Sequence, residues 1–168
     1  RPQRQPEPAG VVEVIMPGHH AANGSESIDD VVGVEVTIDG MLVIADRLRL
    51  TDFPVALGIR PNIAQDELRA VVWDQVARDL TAQGVLDIFG RPHPTVAEMV
   101  DILARADRTL EARWWRRDAE DSMVRFVVCR RGDRHVIGVR SDALVVLQFV
   151  AAPVGLAGMI TTVLGPAD

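Results

Sequence analysis

Four consecutive β-strand patterns with short connections occupy Thr109–Arg117, Met123–Arg130, Arg134–Arg140 and Ala143–Ala151. They constrain the fold more than any other stretch. Gly132-Asp133 and Ser141-Asp142 are turn pairs, far too short for a crossover, so the strands they join must run antiparallel. The second of these strands is apolar on both faces, because Met123, Val127 and Cys129 alternate with Val124, Phe126 and Val128. Such a strand needs cover on both sides, from its own chain or from a partner.

The upstream residues supply a fifth strand and the helices. Val32, Val34, Val36 and Ile38 alternate with Gly33, Glu35 and Thr37, which predicts a strand near 31–38. Asp39 is placed to cap a helix over 39–48 with Met41, Ile44, Ala45 and Leu48 on one stripe. Asn62 and Gln65 resemble a capping box for a helix over 62–84, in which Leu68, Val72, Val76 and Leu80 recur, flanked by Val71 and Trp73, and Gly84 ends it. Thr95 and Glu98 form a second such pattern, for a helix over 95–106, and Pro153 and Gly155 open a last helix over 154–164.

Helices and strands are therefore segregated along the chain. That order predicts an α+β fold: an antiparallel sheet with strands near 31–38, 109–117, 123–130, 134–140 and 143–151, and helices packed on it. Residues 1–30, with Pro2, Pro6, Pro8 and Pro17, read as a disordered or loosely attached extension to a folded unit over 31–166. Trp114 shares parity with Leu110 and Ala112, so it is expected in the main core near Leu68, Val72 and Leu103. Trp115 then faces the other way.

Charge narrows the partners. The chain has 168 residues and a net charge of −6, and all 18 of its cationic side chains are Arg. Such a chain is not built to coat nucleic acid or an acidic membrane. Residues 113–140 carry eight Arg against Asp118, Glu120, Asp121 and Asp133, so this segment is +4 and the remainder is −10. A basic sheet edge on an acidic body fits an acidic patch on a partner. The alternative is that these Arg pair with local acids. The aromatic and Arg content of Met123–Val128 matches an RNA-binding sheet poorly. The uncharged run Ala143–Ala167 is broken by Gln148, Pro153, Gly155 and Gly158 and reads as a strand and short helix, with no membrane insertion. Lone Cys129 reads as a small buried hydrophobe, which fits a reducing cytoplasm.

No catalytic constellation is present among the motifs of nucleophilic, metal or phosphate chemistry. His135 reads as a packed or half-exposed side chain, and His19-His20 lacks further metal ligands. Asp118, Glu120 and Asp121 read as a solvated or partner-contacting loop. The expectation is a binding protein and not an enzyme, with no metal and no cofactor. The rival reading is a small dimeric enzyme whose acids and His135 converge at a subunit interface.

Several stretches are familiar together: Gly33-Val34-Glu35-Val36-Thr37, Leu57-Gly58-Ile59, Pro94-Thr95-Val96-Ala97-Glu98-Met99, Arg113-Trp114-Trp115-Arg116-Arg117 and Val124-Arg125-Phe126-Val127-Val128. In order and spacing they resemble the EspG family of mycobacterial type VII (ESX) secretion, over about 31–166. The resemblance implies a cytoplasmic, non-enzymatic chaperone that binds PE–PPE heterodimers at the PPE helical tip and directs them to secretion. It implies a partner contact at the loop after the second strand, here Arg117, Asp118, Ala119, Glu120, Asp121 and Ser122, with Trp115, Arg116 and Met123 beside it. Family chains are about twice this long, so the chain resembles a first half. A homodimer that pairs exposed sheet elements is then expected.

Overall fold

The computed structural model describes residues 33–115 and 123–150. Five strands and three α-helices follow one another: β1 (Gly33–Thr37), α1 (Ile38–Leu48), α2 (Asp66–Ala82), α3 (Pro94–Ala104), β2 (Arg108–Trp115), β3 (Met123–Arg131), β4 (Arg134–Ser141) and β5 (Leu144–Val150). A 3-10 turn at Val55–Leu57 lies between α1 and α2. The strands form one antiparallel sheet in the order β1-β5-β4-β3-β2. This is the expected α+β architecture, with β1 returning to pair with β5. The expected extension over 1–30 and the helix over 154–164 lie outside the described residues.

Turn chemistry sets the meander. Arg131 stands opposite Arg134, and Gly132 between them takes φ 60°. Ser141 stands opposite Leu144, so the second turn is Asp142-Ala143, one residue later than Ser141-Asp142. Asp142 takes φ 51°, a left-handed conformation that Asp tolerates better than most residues.

All three helix starts differ from expectation. Thr37, not Asp39, caps α1: its Oγ1 accepts from the Gly40 amide at 3.0 Å. A hydroxyl on the last strand residue reaches the helix amides first, and Asp39 is left in the first turn. The Asn62–Gln65 box does not form, since α2 begins at Asp66 and Gln65 makes no side-chain cap. For α3 the cap is His93, whose Nδ1 accepts from the Thr95 amide at 3.2 Å, with Pro94 at the first helical position. Glu98 instead pairs with Arg134 at 3.0 Å.

The main core lies between the helices and one face of the sheet. Met41 and Ile44 of α1 and Met99 and Val100 of α3 are fully buried against Val36, Val127, Cys129, Val136, Val145 and Leu147. Each large side chain so buried is worth about 1.5–3 kcal/mol. Burial pushes the Cys129 thiol up to about 11. The opposite face is also apolar, as expected: Phe126, Val128 and Ile137 cluster there with Leu110, Ala112 and Val139.

Two core assignments are corrected. α2 packs chiefly on α1, so only Leu80 of it is fully buried, with Trp73, Val76 and Ala77 alongside. Leu68 and Val71 face out. Trp114 is 41 % exposed and lies outside the main core. It does share parity with Leu110 and Ala112, but their stripe is on the face away from α1 and α3. Those helices pack on β3, β4 and β5, and β2, an edge strand among the described residues, lies beyond them.

Candidate functional site

Trp115 and Met123 stand directly opposite each other where β2 and β3 meet their connection. Trp115 is 59 % exposed. These two residues of the expected contact set are thus neighbours. Arg116, Arg117, Asp118, Ala119, Glu120, Asp121 and Ser122 lie outside the described residues.

Sheet register adds a feature that composition does not show. Two residues inward from Trp115, Arg113 of β2 pairs with Arg125 of β3, and Arg125 pairs with Arg140 of β4. Three arginines therefore stand in one row across three strands, on the face that carries Val127, Cys129 and Val136 further along. Like charges directly opposite each other are unfavourable in a sheet unless something neutralises them.

The Val55–Leu57 turn builds the wall beside this row. Leu57 is fully buried and reaches the sheet at Gly138. Glu111 holds the start of the turn, with Oε2 accepting from the Ala56 amide at 2.5 Å. The end of the turn holds Arg140: its Nη1 donates to the Leu57 and Gly58 carbonyls at 2.7 and 2.6 Å, and its Nε to the Asp142 carbonyl at 2.9 Å. Burial and the neighbouring Arg125 charge lower the Arg140 pKa, yet a guanidinium stays protonated. Gly58 takes φ 57°, and a Cβ there would lie 2.7 Å from Arg125 Nη1 and 3.0 Å from Arg140 Nη1. The positive φ favours glycine here, and the missing side chain lets two guanidinium groups lie against its backbone without shifting.

The result is an open cleft of about 390 Å³, lined by Arg60, Arg113, Arg125 and Arg140 with Val55 and Met123 at its sides. A smaller hollow of about 280 Å³ adjoins it at Val55, Glu111 and Arg113. Of the arginines in 113–140, Arg131 and Arg134 pair not with local acids but with Asp101 and Glu98 of α3, distant in sequence; outside that segment Arg69 pairs with Asp66, Arg91 with Asp87 and Arg105 with Asp101. Among the described residues no carboxylate lines the large cleft.

His135 has its Nδ1 3.2 Å from the Asp133 carbonyl, and neither cleft includes it. Among the described residues there is no group of three or more side chains placed to hold a metal ion. No helix among them is long and apolar enough to cross a membrane. The arginine row is the feature that the sequence reading misses, although one signal for it exists. With Gly132-Asp133 as a two-residue turn, counting outward from Arg131 and Arg134 puts Arg125 opposite Arg140.

Fold and cleft together define an α+β protein whose distinctive surface is an arginine-lined cleft on one face of a sheet. Comparison with known proteins takes this further. The chain belongs to the EspG family, whose model matches residues 37–168. It is 70% identical over 153 residues to the ESX-1 secretion-associated protein EspG1 of Mycobacterium tuberculosis (strain ATCC 25618 / H37Rv), covering 91% of this chain and 54% of that protein. It is 29% identical over 122 residues to the ESX-3 secretion-associated protein EspG3 of Mycolicibacterium smegmatis, covering 73% of this chain and 40% of that one. The chain spans about half the length of the relatives it matches. Its fold is similar to that of the M. tuberculosis type VII secretion system chaperone EspG5, solved in complex with a PE25–PPE41 dimer. There the TM-score is 0.51 at 21% identity, covering 78% of this chain and 49% of that chain.

Proposed function

We propose that this chain works in type VII secretion as a chaperone for PE–PPE heterodimers. The observation that carries the reading is the 70% identity, over 91% of the chain, to a protein named for ESX-1 secretion. The similar fold of a chaperone solved with a PE–PPE dimer supports the partner class. The much lower identity to the ESX-3 relative favours the ESX-1 system as the one served.

In this reading the protein acts in the cytoplasm, without enzymatic chemistry, and holds the helical tip of the PPE subunit. The contact runs through Trp115, Arg116, Arg117, Asp118, Ala119, Glu120, Asp121, Ser122 and Met123. Exposed Trp115 beside Met123 supports that placement, since aromatic anchors supply much of the energy of protein contacts. β2, an edge strand among the described residues, also gives the chain a way to pair with a second copy. Co-expression with PE–PPE pairs followed by pull-down tests the proposal. Capture of ESX-1 pairs and not ESX-3 pairs is the expected result. Capture of none overturns it.

A further inference from the structure

We propose that the row Arg113–Arg125–Arg140, joined by Arg60, is a carboxylate-binding site that holds an acidic segment of the protein partner. The inference rests on the chaperone reading and names the chemistry of its contact.

Register is the first argument. Placing Arg113 opposite Arg125 and Arg125 opposite Arg140 sets three like charges across adjacent strands, and among the described residues no acid lines the cleft they form. An incoming carboxylate relieves like-charge repulsion of this kind, which suits the row to binding an anion. Preorganisation is the second argument. Carbonyls of Leu57, Gly58 and Asp142 accept from Nη1 and Nε of Arg140, which fixes the planar group, and among the described residues Nη2 has no acceptor. Gly58, with no side chain, lets Arg125 come alongside. Rigid, adjacent guanidinium forks match the two oxygens of a carboxylate.

The setting selects a protein segment over a long polyanion. The whole chain is −6, so a nucleic acid extending beyond the cleft meets an acidic body, whereas a short acidic segment meets only the arginines. Val55 and Met123 at the sides, with Trp115 opposite Met123, offer apolar contact to the residues next to those acids. Nucleic-acid sites use phosphate contacts spread along a strand.

The test uses two probes, a hexaglutamate peptide and a recombinant PE–PPE pair, on the wild type and on Arg125→Met and Arg60→Gln. Arg60 lies outside the strands, so its replacement spares the fold. Hexaglutamate should raise the melting temperature of the wild type, less that of Arg60→Gln, and not that of Arg125→Met. Without ligand, Arg125→Met should melt at or above the wild type, because it removes a like-charge contact. Both variants should capture the PE–PPE pair about tenfold more weakly, with a flatter salt dependence. The site is overturned if hexaglutamate leaves the wild type unshifted, or if an oligonucleotide of equal charge shifts it more. It is also overturned if Arg125→Met melts several degrees lower, which shows a row neutralised within the fold. Capture that is unchanged in both variants removes the site and leaves the chaperone reading intact. A hexaglutamate shift that depends on the row, with no PE–PPE capture by the wild type, does the reverse.

Discussion

Replacing Gly138 with Ala is expected to destabilise the chain, although backbone entropy argues the opposite. Gly138 lies in the central strand β4, between Val127 of β3 and Leu147 of β5, and its φ is not positive. At such a site alanine stabilises by about 0.4–1 kcal/mol through the unfolded state. Packing reverses the sign. A Cβ on Gly138 would lie 3.1 Å from Val127 Cγ2 and 3.4 Å from both Leu147 Cδ2 and Leu57 Cδ1. The missing side chain is the seat of Leu57, which anchors the turn that holds Arg140. Overfilling a packed core costs about 1–3 kcal/mol, so the net effect is a loss of about 1–2 kcal/mol.

A double-mutant cycle isolates the cause. Leu57→Ala alone empties a fully buried site and should cost about 2–5 kcal/mol. In that background one of the three contacts is gone while Val127 Cγ2 still stands 3.1 Å away, so the cost of Gly138→Ala should shrink without vanishing. The coupling energy is expected at about 1 kcal/mol or more, from urea midpoints of the four proteins at equal slope. A raised midpoint for Gly138→Ala, or additive energies within about 0.5 kcal/mol, refutes the seat and with it the account of how the turn is held.

Three further outcomes are expected. Trp114→Ala should cost about 1–2 kcal/mol in a urea melt, less than the 3–5 of a fully buried aromatic, because Trp114 is 41 % exposed on an edge strand. Cys129 titrates near 11 in the fold against an ordinary 9.0, so its stabilising contribution is complete below pH 9 and fades as pH rises from 9 to 11. A Cys129→Ala variant should lose less stability than the wild type over that window, and the native thiol should resist a disulfide reagent at pH 8. On the proposed reading, reversing Asp118, Glu120 and Asp121 to Lys should weaken PE–PPE capture and leave the melting temperature unchanged. Unchanged capture removes that loop from the interface.

Strands and their antiparallel order are legible in the sequence because period-2 alternation and two-residue turns are local signals. Which face the helices cover is not. The alternation of Leu110, Ala112 and Trp114 is the same whichever side α1 and α3 lie on, so parity places Trp114 on a stripe without saying that the stripe looks away from them. Helix starts fail for a related reason. Any Thr, Asp or Asn near a helix start can cap it, and only the path of the chain decides that Thr37 reaches the first amides before Asp39. The candidate site shows the same limit in two dimensions. Arg125 opposite Arg140 follows from counting outward from the Gly132-Asp133 turn, whereas no two-residue turn signal joins the strands that carry Arg113 and Arg125, so their register is not readable from the sequence. A surplus of arginine in a linear window is equally consistent with scattered surface ion pairs, and Arg131 and Arg134 form such pairs. Register separates the two cases: Arg131 and Arg134 reach across to helix acids, and Arg113, Arg125 and Arg140 stand aligned across three strands. On the proposed reading, that second group serves the contact with an acidic segment of the partner.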